Sequence, residues 1–193
     1  MISHKHKCIF VHISKTGGTS LEHVLFKSED TDIAGMLTNN NNLDFPGKHY
    51  SAIEYREANP DIFNEYFKFA IVRNPWDRLV SNYFWHKQIE LQPVCDLSFE
   101  DYIDFVDENV AQYHQYGKVC DDKTIIVDKI YDYEHIRRSY IHICNKLGLD
   151  KTTIPVANKT NHKRYTEYYS PILRKRVAHM FRVDIDMFNY EYN

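Results

Sequence analysis

The most constraining feature of this sequence is a strand pattern, a glycine-bearing loop and a helix pattern, in that order, near its start. Residues 8–12 form a mostly apolar run rich in strand formers, and the polar loop of residues 14–20 follows. Leu21, Val24 and Leu25 then recur at the spacing of one helix face. In this arrangement glycines let the backbone approach an anion, and the first N–H groups of the helix point toward it. The segment therefore predicts a phosphate cradle and a phosphate-bearing ligand.

The side chains of the loop suit the same task. Lys15 adds a full positive charge, and hydroxyl donors surround the glycine pair Gly17-Gly18 at Thr16, Thr19 and Ser20. The order differs from the G-x-x-x-x-G-K-[ST] loop of ATP and GTP sites, because Lys15 precedes both glycines. The alternative is that the glycines simply make a turn between a strand and a helix.

Length and composition favour one soluble domain over residues 1–193. A chain of 193 residues can bury a sizeable core, and 43% apolar with 26% charged residues is typical of globular proteins. The net charge of −3 disfavours a general nucleic-acid binder. No apolar run reaches the about 18 residues of a membrane span, so the chain is expected to be cytoplasmic. The cysteines show no C-x-x-C spacing, which disfavours a zinc or redox motif.

The rest of the pattern predicts alternating strands and helices. Predicted helices cover residues 52–58, 60–66, 75–89, 98–110, 134–147 and 171–181. Predicted strands cover residues 67–72 and 124–127, and residues 130–133 extend the latter or form a fourth. Residues 28–48, which include four consecutive asparagines, and most of 151–169 are predicted loops. This order predicts a three-layer, P-loop-like α/β domain with a mostly parallel central sheet flanked by helices.

A second candidate anion site follows the predicted strand 67–72. Arg73 leaves the strand, Asn74 is a good N-cap, and Pro75 is a favoured first helical residue. A forked guanidinium at such a turn can grip a phosphate, and Ser81 lies about 9 Å further along the helix axis. Two such turns in one small domain indicate a ligand with two separate phosphates. The alternative is that Arg73 pairs with Asp77 while Ser81 merely packs.

At this point the sequence resembles a known family. Residues 12–20 resemble the 5′-phosphosulfate loop of sulfotransferases that use 3′-phosphoadenosine 5′-phosphosulfate (PAPS), and residues 73–81 resemble their 3′-phosphate motif. Residues 165–192 resemble the C-terminal region of the family 2 carbohydrate sulfotransferases, so the likeness spans nearly the whole chain. One departure is Ser14, where the family usually has proline. Another is the shortness of the chain, which leaves little room for an elaborate acceptor groove.

The resemblance implies transfer of a sulfuryl group from PAPS to an acceptor hydroxyl, most often on a saccharide, leaving adenosine 3′,5′-bisphosphate (PAP). It implies no catalytic metal. Lys15 would neutralise charge on the leaving phosphate, while Arg73 and Ser81 would hold the 3′-phosphate and Arg164 would reach the nucleotide. The 5′-phosphate would be held by the remaining loop residues, Thr16, Gly17, Gly18, Thr19 and Ser20.

An acceptor hydroxyl needs a base, and the resemblance points to His49, because family 2 relatives carry a histidine in the matching segment. A histidine near its reference pKa of about 6.5 is suited to take a proton at neutral pH. His12, Glu54 and His86 are the fallback candidates. Lys48 is a further candidate for binding the substrate or its sulfonate.

Two other functions stay open at the level of sequence. Residues 124–128, Thr-Ile-Ile-Val-Asp, imitate a strand that ends in a magnesium-binding aspartate, which would suit a P-loop-type kinase or NTPase. The other is a nucleotide-binding or carbohydrate-binding module without turnover. Magnesium-dependent ATP binding would favour the first, and PAP binding without transfer would favour the second.

Overall fold

The structure, a computed structural model, describes residues 1–25, 49–149 and 161–193. Two predicted features, most of the asparagine-rich loop with Lys48 and the start of the loop after residue 150, lie outside these ranges. The strands are β1 Ile2–Ser3, β2 Cys8–Val11, β3 Phe67–Val72, β4 Cys120–Asp121, β5 Thr124–Ile125 and β6 Lys129–Asp132. The α-helices are α1 Gly18–Leu25, α2 Ala52–Ala58, α3 Pro60–Glu65, α4 Pro75–Gln88, α5 Phe99–Glu108, α6 Tyr116–Val119, α7 Ile136–Leu147, α8 Pro171–Met180 and α9 Arg182–Phe188. None of the described helices is long and apolar enough to cross a membrane.

The described residues group into two compact units. The first contains the described residues up to Val72 and those from Gly117 to 149, and the second contains residues 73–116 and 161–193. That residues 1–193 form one domain remains a prediction.

The main sheet of the first unit has the order β1-β2-β3-β6. β1 is antiparallel to β2, whereas the β2–β3 and β3–β6 pairs are parallel. β2 and β3 are almost wholly buried, which explains their continuous apolar runs. Their carboxyl ends lie at the same edge, because Val11 pairs with Ala70. The predicted fold class is confirmed: the chain is a mixed α/β protein with a mostly parallel central sheet flanked by helices.

In the second unit, helices pack around an aromatic core. Asn74 caps α4 by accepting a hydrogen bond from the Trp76 backbone N–H at 3.1 Å, as the Asn-Pro sequence predicts. Side chains of α4, α5 and α8 then share one apolar cluster, in which Tyr102 and Phe181 are fully buried. This packing fixes the start of α4, where the second candidate anion site lies.

The strand predicted at residues 124–127 is shorter than predicted and lies outside the main sheet. Only Thr124 and Ile125 form a strand, which is exposed and pairs as an antiparallel hairpin with Cys120–Asp121. The third parallel strand of the main sheet is Lys129–Asp132. Lys129–Asp132 lacks an apolar run because it is an edge strand of the sheet, and of its residues only Tyr131 is buried. Asp128 accepts from the Lys68 backbone N–H at 2.7 Å. Asp128 therefore does not end a strand of the main sheet, which was the feature that favoured a P-loop-type kinase or NTPase.

Four of the strands and α-helices were not predicted: β1, β4, α6 and α9. β1 has only two residues, too few for a periodic pattern to be read. α9 was overlooked because its one fully buried position is Asp184, a residue type that normally marks an exposed position.

Candidate functional site

The loop between β2 and α1 is a tight turn held by its own hydrogen bonds. Its backbone takes the left-handed conformation twice, at Lys15 with φ +64° and at Gly17 with φ +79°. The Thr16 hydroxyl donates to the Ile13 carbonyl at 2.8 Å, and the Ser20 N–H donates to the Gly17 carbonyl at 3.1 Å. The Thr16 hydroxyl proton is thus used within the loop, so a ligand contact from this residue would come from its backbone N–H.

The two glycines of the loop are required for different reasons. At Gly17 a Cβ atom would lie 3.1 Å from the Tyr133 ring, and the positive φ already disfavours any side chain. At Gly18 a Cβ atom would lie 2.2 Å from two atoms of the His12 ring. The pair is therefore more than a generic turn, because the backbone of α1 begins directly against a buried imidazole.

A short buried contact with a carboxylate supports that imidazole. His12 Nδ1 lies 2.6 Å from Glu22 Oε1, and both side chains are less than 10% exposed. Since Glu22 lies in α1 and His12 directly follows β2, the pair joins the two elements on either side of the loop. Glu22 escaped the sequence analysis because nothing in its local pattern distinguishes it from a solvent-facing glutamate.

His49 lies beside this loop although 37 positions separate it from His12. Its Nδ1 is 3.0 Å from the His12 carbonyl oxygen, and the two ring centroids are 4.7 Å apart. The Lys118 ammonium donates to the His49 carbonyl at 2.9 Å, and Ser51, the N-cap of α2, follows two residues after His49. The fold therefore holds the predicted base next to the predicted phosphate loop within the first unit.

The fallback bases occupy other positions. Glu54 forms a capping box, in which its carboxylate accepts from the Ser51 N–H at 2.6 Å and from the Ser51 hydroxyl at 2.7 Å. His86 lies in the last turn of α4, edge-on to the Tyr102 ring. His12 has its Nδ1 beside Glu22. His49 and Glu54 are exposed, whereas His86 is half-buried and His12 is buried. Of the two exposed candidates, Glu54 is engaged in its capping box, and His49 lies against the loop through the His12 carbonyl.

The second candidate anion site begins directly after β3. The Arg73 Nε–H donates to Asp77 Oδ2 at 2.8 Å, and the Arg73 side chain is 7% exposed. This is the pairing that sequence analysis left open as the alternative reading, and it orients the guanidinium at the start of α4. Ser81 is buried two turns further along the same helix. Arg164 is exposed and precedes a short 3₁₀ helix, Tyr165–Glu167.

The comparisons with known proteins identify the family of the chain. The chain belongs to the sulfotransferase family, whose model matches residues 1–191. An uncharacterized protein of Archaeoglobus fulgidus is 30% identical over 92 residues, which cover 46% of this chain and 72% of that protein.

A solved structure shows the same fold. The crystal structure of a sulfotransferase from Alicyclobacillus acidocaldarius matches 96% of each chain with a TM-score of 0.56 and 16% sequence identity. The predicted relationship to the family 2 sulfotransferases is confirmed by the family match and this fold together. Family membership supports sulfuryl transfer in general, and hence a transferase.

Proposed function

We propose that this protein transfers a sulfuryl group from PAPS to an acceptor hydroxyl, on a saccharide, and releases PAP. The observation that carries the proposal is the glycine loop between β2 and α1 with the His49 ring beside it. The loop suits a phosphate, and the imidazole suits the removal of a proton from a hydroxyl. Neither the donor nor the acceptor follows from family membership alone.

The loop fits the 5′ end of the donor. Its backbone is left-handed at Gly17, directly before α1, and the first turn of α1 contains no acidic residue that would repel an anion. Thr16, Gly17, Gly18 and Thr19 would supply N–H groups to the 5′-phosphate. Ser20 would contribute its hydroxyl, because its N–H already donates to the Gly17 carbonyl. Lys15 would neutralise the charge that develops on the leaving phosphate oxygen.

The 3′-phosphate is assigned to the second unit. Arg73 would grip it with its guanidinium, Ser81 would contribute its hydroxyl, and Arg164 would reach the nucleotide. A forked guanidinium whose orientation is fixed by a carboxylate suits recognition of a phosphate. This contact would distinguish PAPS from ATP, which lacks a 3′-phosphate.

The hydrogen bond of His49 determines which of its nitrogens acts as the base. A backbone carbonyl can only accept, so the Nδ1 that faces the His12 carbonyl carries the hydrogen. In neutral imidazole the other nitrogen, Nε2, then accepts. His49 Nε2 would take the proton from the acceptor hydroxyl as its oxygen bonds to sulfur and the bond from sulfur to the 5′-phosphate oxygen breaks. PAPS supplies the sulfuryl group, and the chain supplies position and charge.

The direct test is a transfer assay with radiolabelled PAPS and a panel of saccharide acceptors. His49→Ala should leave the affinity for PAP within about twofold and lower transfer by roughly 10²-fold or more, because only the base is lost. Lys15→Ala should lower both, because it removes a charge-assisted contact. His142→Ala, at an exposed position on α7, is the matched control and should change neither.

Normal turnover by His49→Ala would show that another group is the base. Tight PAP binding without transfer to any acceptor would instead favour a binding module without turnover. Transfer to hydroxyls of other compounds, but to no saccharide, would overturn only the acceptor assignment.

A further inference from the structure

We propose that Gln115, anchored by Asp184, is a positioning residue that holds the backbone of Arg73 so that its guanidinium reads the 3′-phosphate. The inference rests on the proposed function, because it assumes that Arg73 binds that phosphate. It adds residues that neither the sequence patterns nor the comparisons assign to the site.

The Gln115 side-chain amide forms two hydrogen bonds to one residue of the backbone. The Arg73 N–H donates to Gln115 Oε1 at 2.9 Å, and Gln115 Nε2 donates to the Arg73 carbonyl at 2.8 Å. Gln115 is fully buried. Both backbone groups of Arg73 are therefore satisfied by a single side chain that lies 42 positions away in the sequence.

The position of this contact explains why a side chain is needed. The parallel pairing between β3 and β6 ends at Val72, which pairs with Asp132 and whose carbonyl accepts from the Tyr133 N–H. Arg73 is the next residue, and it is buried. Buried backbone groups without partners are costly, so the Gln115 amide takes the place of a strand where the ladder has ended.

Only a primary amide can make this contact in full. Gln115 uses its carbonyl oxygen as an acceptor and its NH₂ group as a donor, in the same manner as a peptide group. A carboxylate of the same shape could accept from the Arg73 N–H but could not donate to the Arg73 carbonyl. A thioether of similar size could do neither with useful strength.

Asp184 holds the backbone of Gln115 in turn. Its carboxylate oxygens accept from the Gln115 N–H at 2.9 and 3.1 Å and from the Tyr116 N–H at 2.8 Å. Asp184 is fully buried in α9, with His114 Nδ1 4.0 Å away. Burial raises the pKa of Asp184, and its backbone hydrogen bonds and the nearby Arg78 oppose that rise.

Arg73 is thus fixed from both ends. Gln115 holds its peptide groups, and Asp77 accepts from its Nε–H at 2.8 Å. When the backbone and the orientation of a guanidinium are both fixed before the ligand arrives, the side chain loses little conformational entropy on binding. The expected consequence is selectivity for the 3′-phosphate, with little effect on the rest of the nucleotide.

The test compares PAP with AMP, because the two nucleotides differ only in the 3′-phosphate. For each protein, calorimetry gives the dissociation constant of AMP divided by that of PAP, a ratio that is large when the protein prefers PAP. In Gln115→Met this ratio should fall about tenfold, while the affinity for AMP stays within about threefold. Gln115→Glu should give an intermediate ratio, since it keeps the acceptor for the Arg73 N–H. Gln112→Met, at an exposed position of the same unit, is the matched control and should keep the wild-type ratio.

The outcomes separate this inference from the proposed function. If the wild-type protein does not prefer PAP to AMP, the assignment of Arg73 to a 3′-phosphate is wrong, and with it the inference. If the wild type discriminates and Gln115→Met discriminates equally well, the proposed function survives and the positioning role is refuted. Should Gln115→Met be too unstable to titrate, Gln115→Glu decides, because an unchanged ratio in that variant is equally contrary to the inference.

Discussion

Substitution of Gly18 by alanine tests whether the phosphate loop depends on the buried histidine beneath it. A Cβ atom at this position would lie 2.2 Å from His12 Cδ2 and Nε2, whereas ordinary contact begins at 3.4 Å. The ring would have to move by at least 1.2 Å, the difference between these distances. It cannot do so easily, because its side chain is 4% exposed and its Nδ1 lies 2.6 Å from Glu22.

The expected cost follows from these contacts. Overpacking a rigid core costs about 1–3 kcal/mol, and depriving a buried polar group of its partner costs about 1–3 kcal/mol. Alanine in a helix returns at most about 1 kcal/mol relative to glycine. Taken at the middle of these ranges, Gly18→Ala should lower the free energy of unfolding by about 3 kcal/mol. It should lower transfer as well, because the His12 carbonyl also contacts His49.

Urea unfolding followed by circular dichroism measures this loss as a shift of the midpoint by about 1 M at an unchanged slope. Gly117→Ala is the matched control, since a Cβ atom there would meet nothing within 4 Å. That variant should be neutral or slightly stabilising, because alanine restricts the unfolded chain. A Gly18→Ala protein within 0.5 kcal/mol of the wild type, by the usual scatter of surface substitutions, would refute the reasoning.

Three further predictions concern the groups around the two candidate anion sites. Glu22→Ala should lower the free energy of unfolding by about 2 kcal/mol, measured by urea unfolding, because His12 loses its buried partner. Arg73→Lys should weaken PAP binding about tenfold in calorimetry while sparing AMP, because lysine keeps the charge but loses the planar fork. Burial lowers the pKa of His114, so the unfolded chain binds more protons just below pH 6.5 and stability falls as the pH falls through that range. His114→Gln should flatten this dependence in urea unfolding at pH 5, 6 and 7, and an unchanged slope would contradict it.

The parts of the fold that follow from sequence are those with strong local signals. The strand Phe67–Val72 and the helix Ala52–Ala58 have the predicted bounds, and the Asn-Pro start of α4 is confirmed. The apolar residues of 124–127 suggested a strand of the main sheet, but local pattern cannot tell a hairpin from a sheet strand. The bordering strand Lys129–Asp132 was only partly anticipated because its hydrophobic signal is weak.

The candidate site likewise contains residues that the sequence predicts and residues that it does not. Lys15, Gly17 and Gly18 form a contiguous motif, so their grouping could be predicted from the sequence, although their roles toward a ligand stay predictions. Gln115 and Glu22 could not be predicted, because each acts through a single tertiary contact that no local pattern records. Buried polar residues of this kind become visible only when their partners are known.

The most direct test of the central claim is calorimetric titration of the wild-type protein with PAP, ADP and ATP, each with and without magnesium. The proposed function predicts PAP binding that needs no metal and is much tighter than ADP binding, because Arg73 would read the 3′-phosphate. Preference for ATP with magnesium, or no binding of PAP, would contradict the assignment of this chain as a PAPS-dependent sulfotransferase.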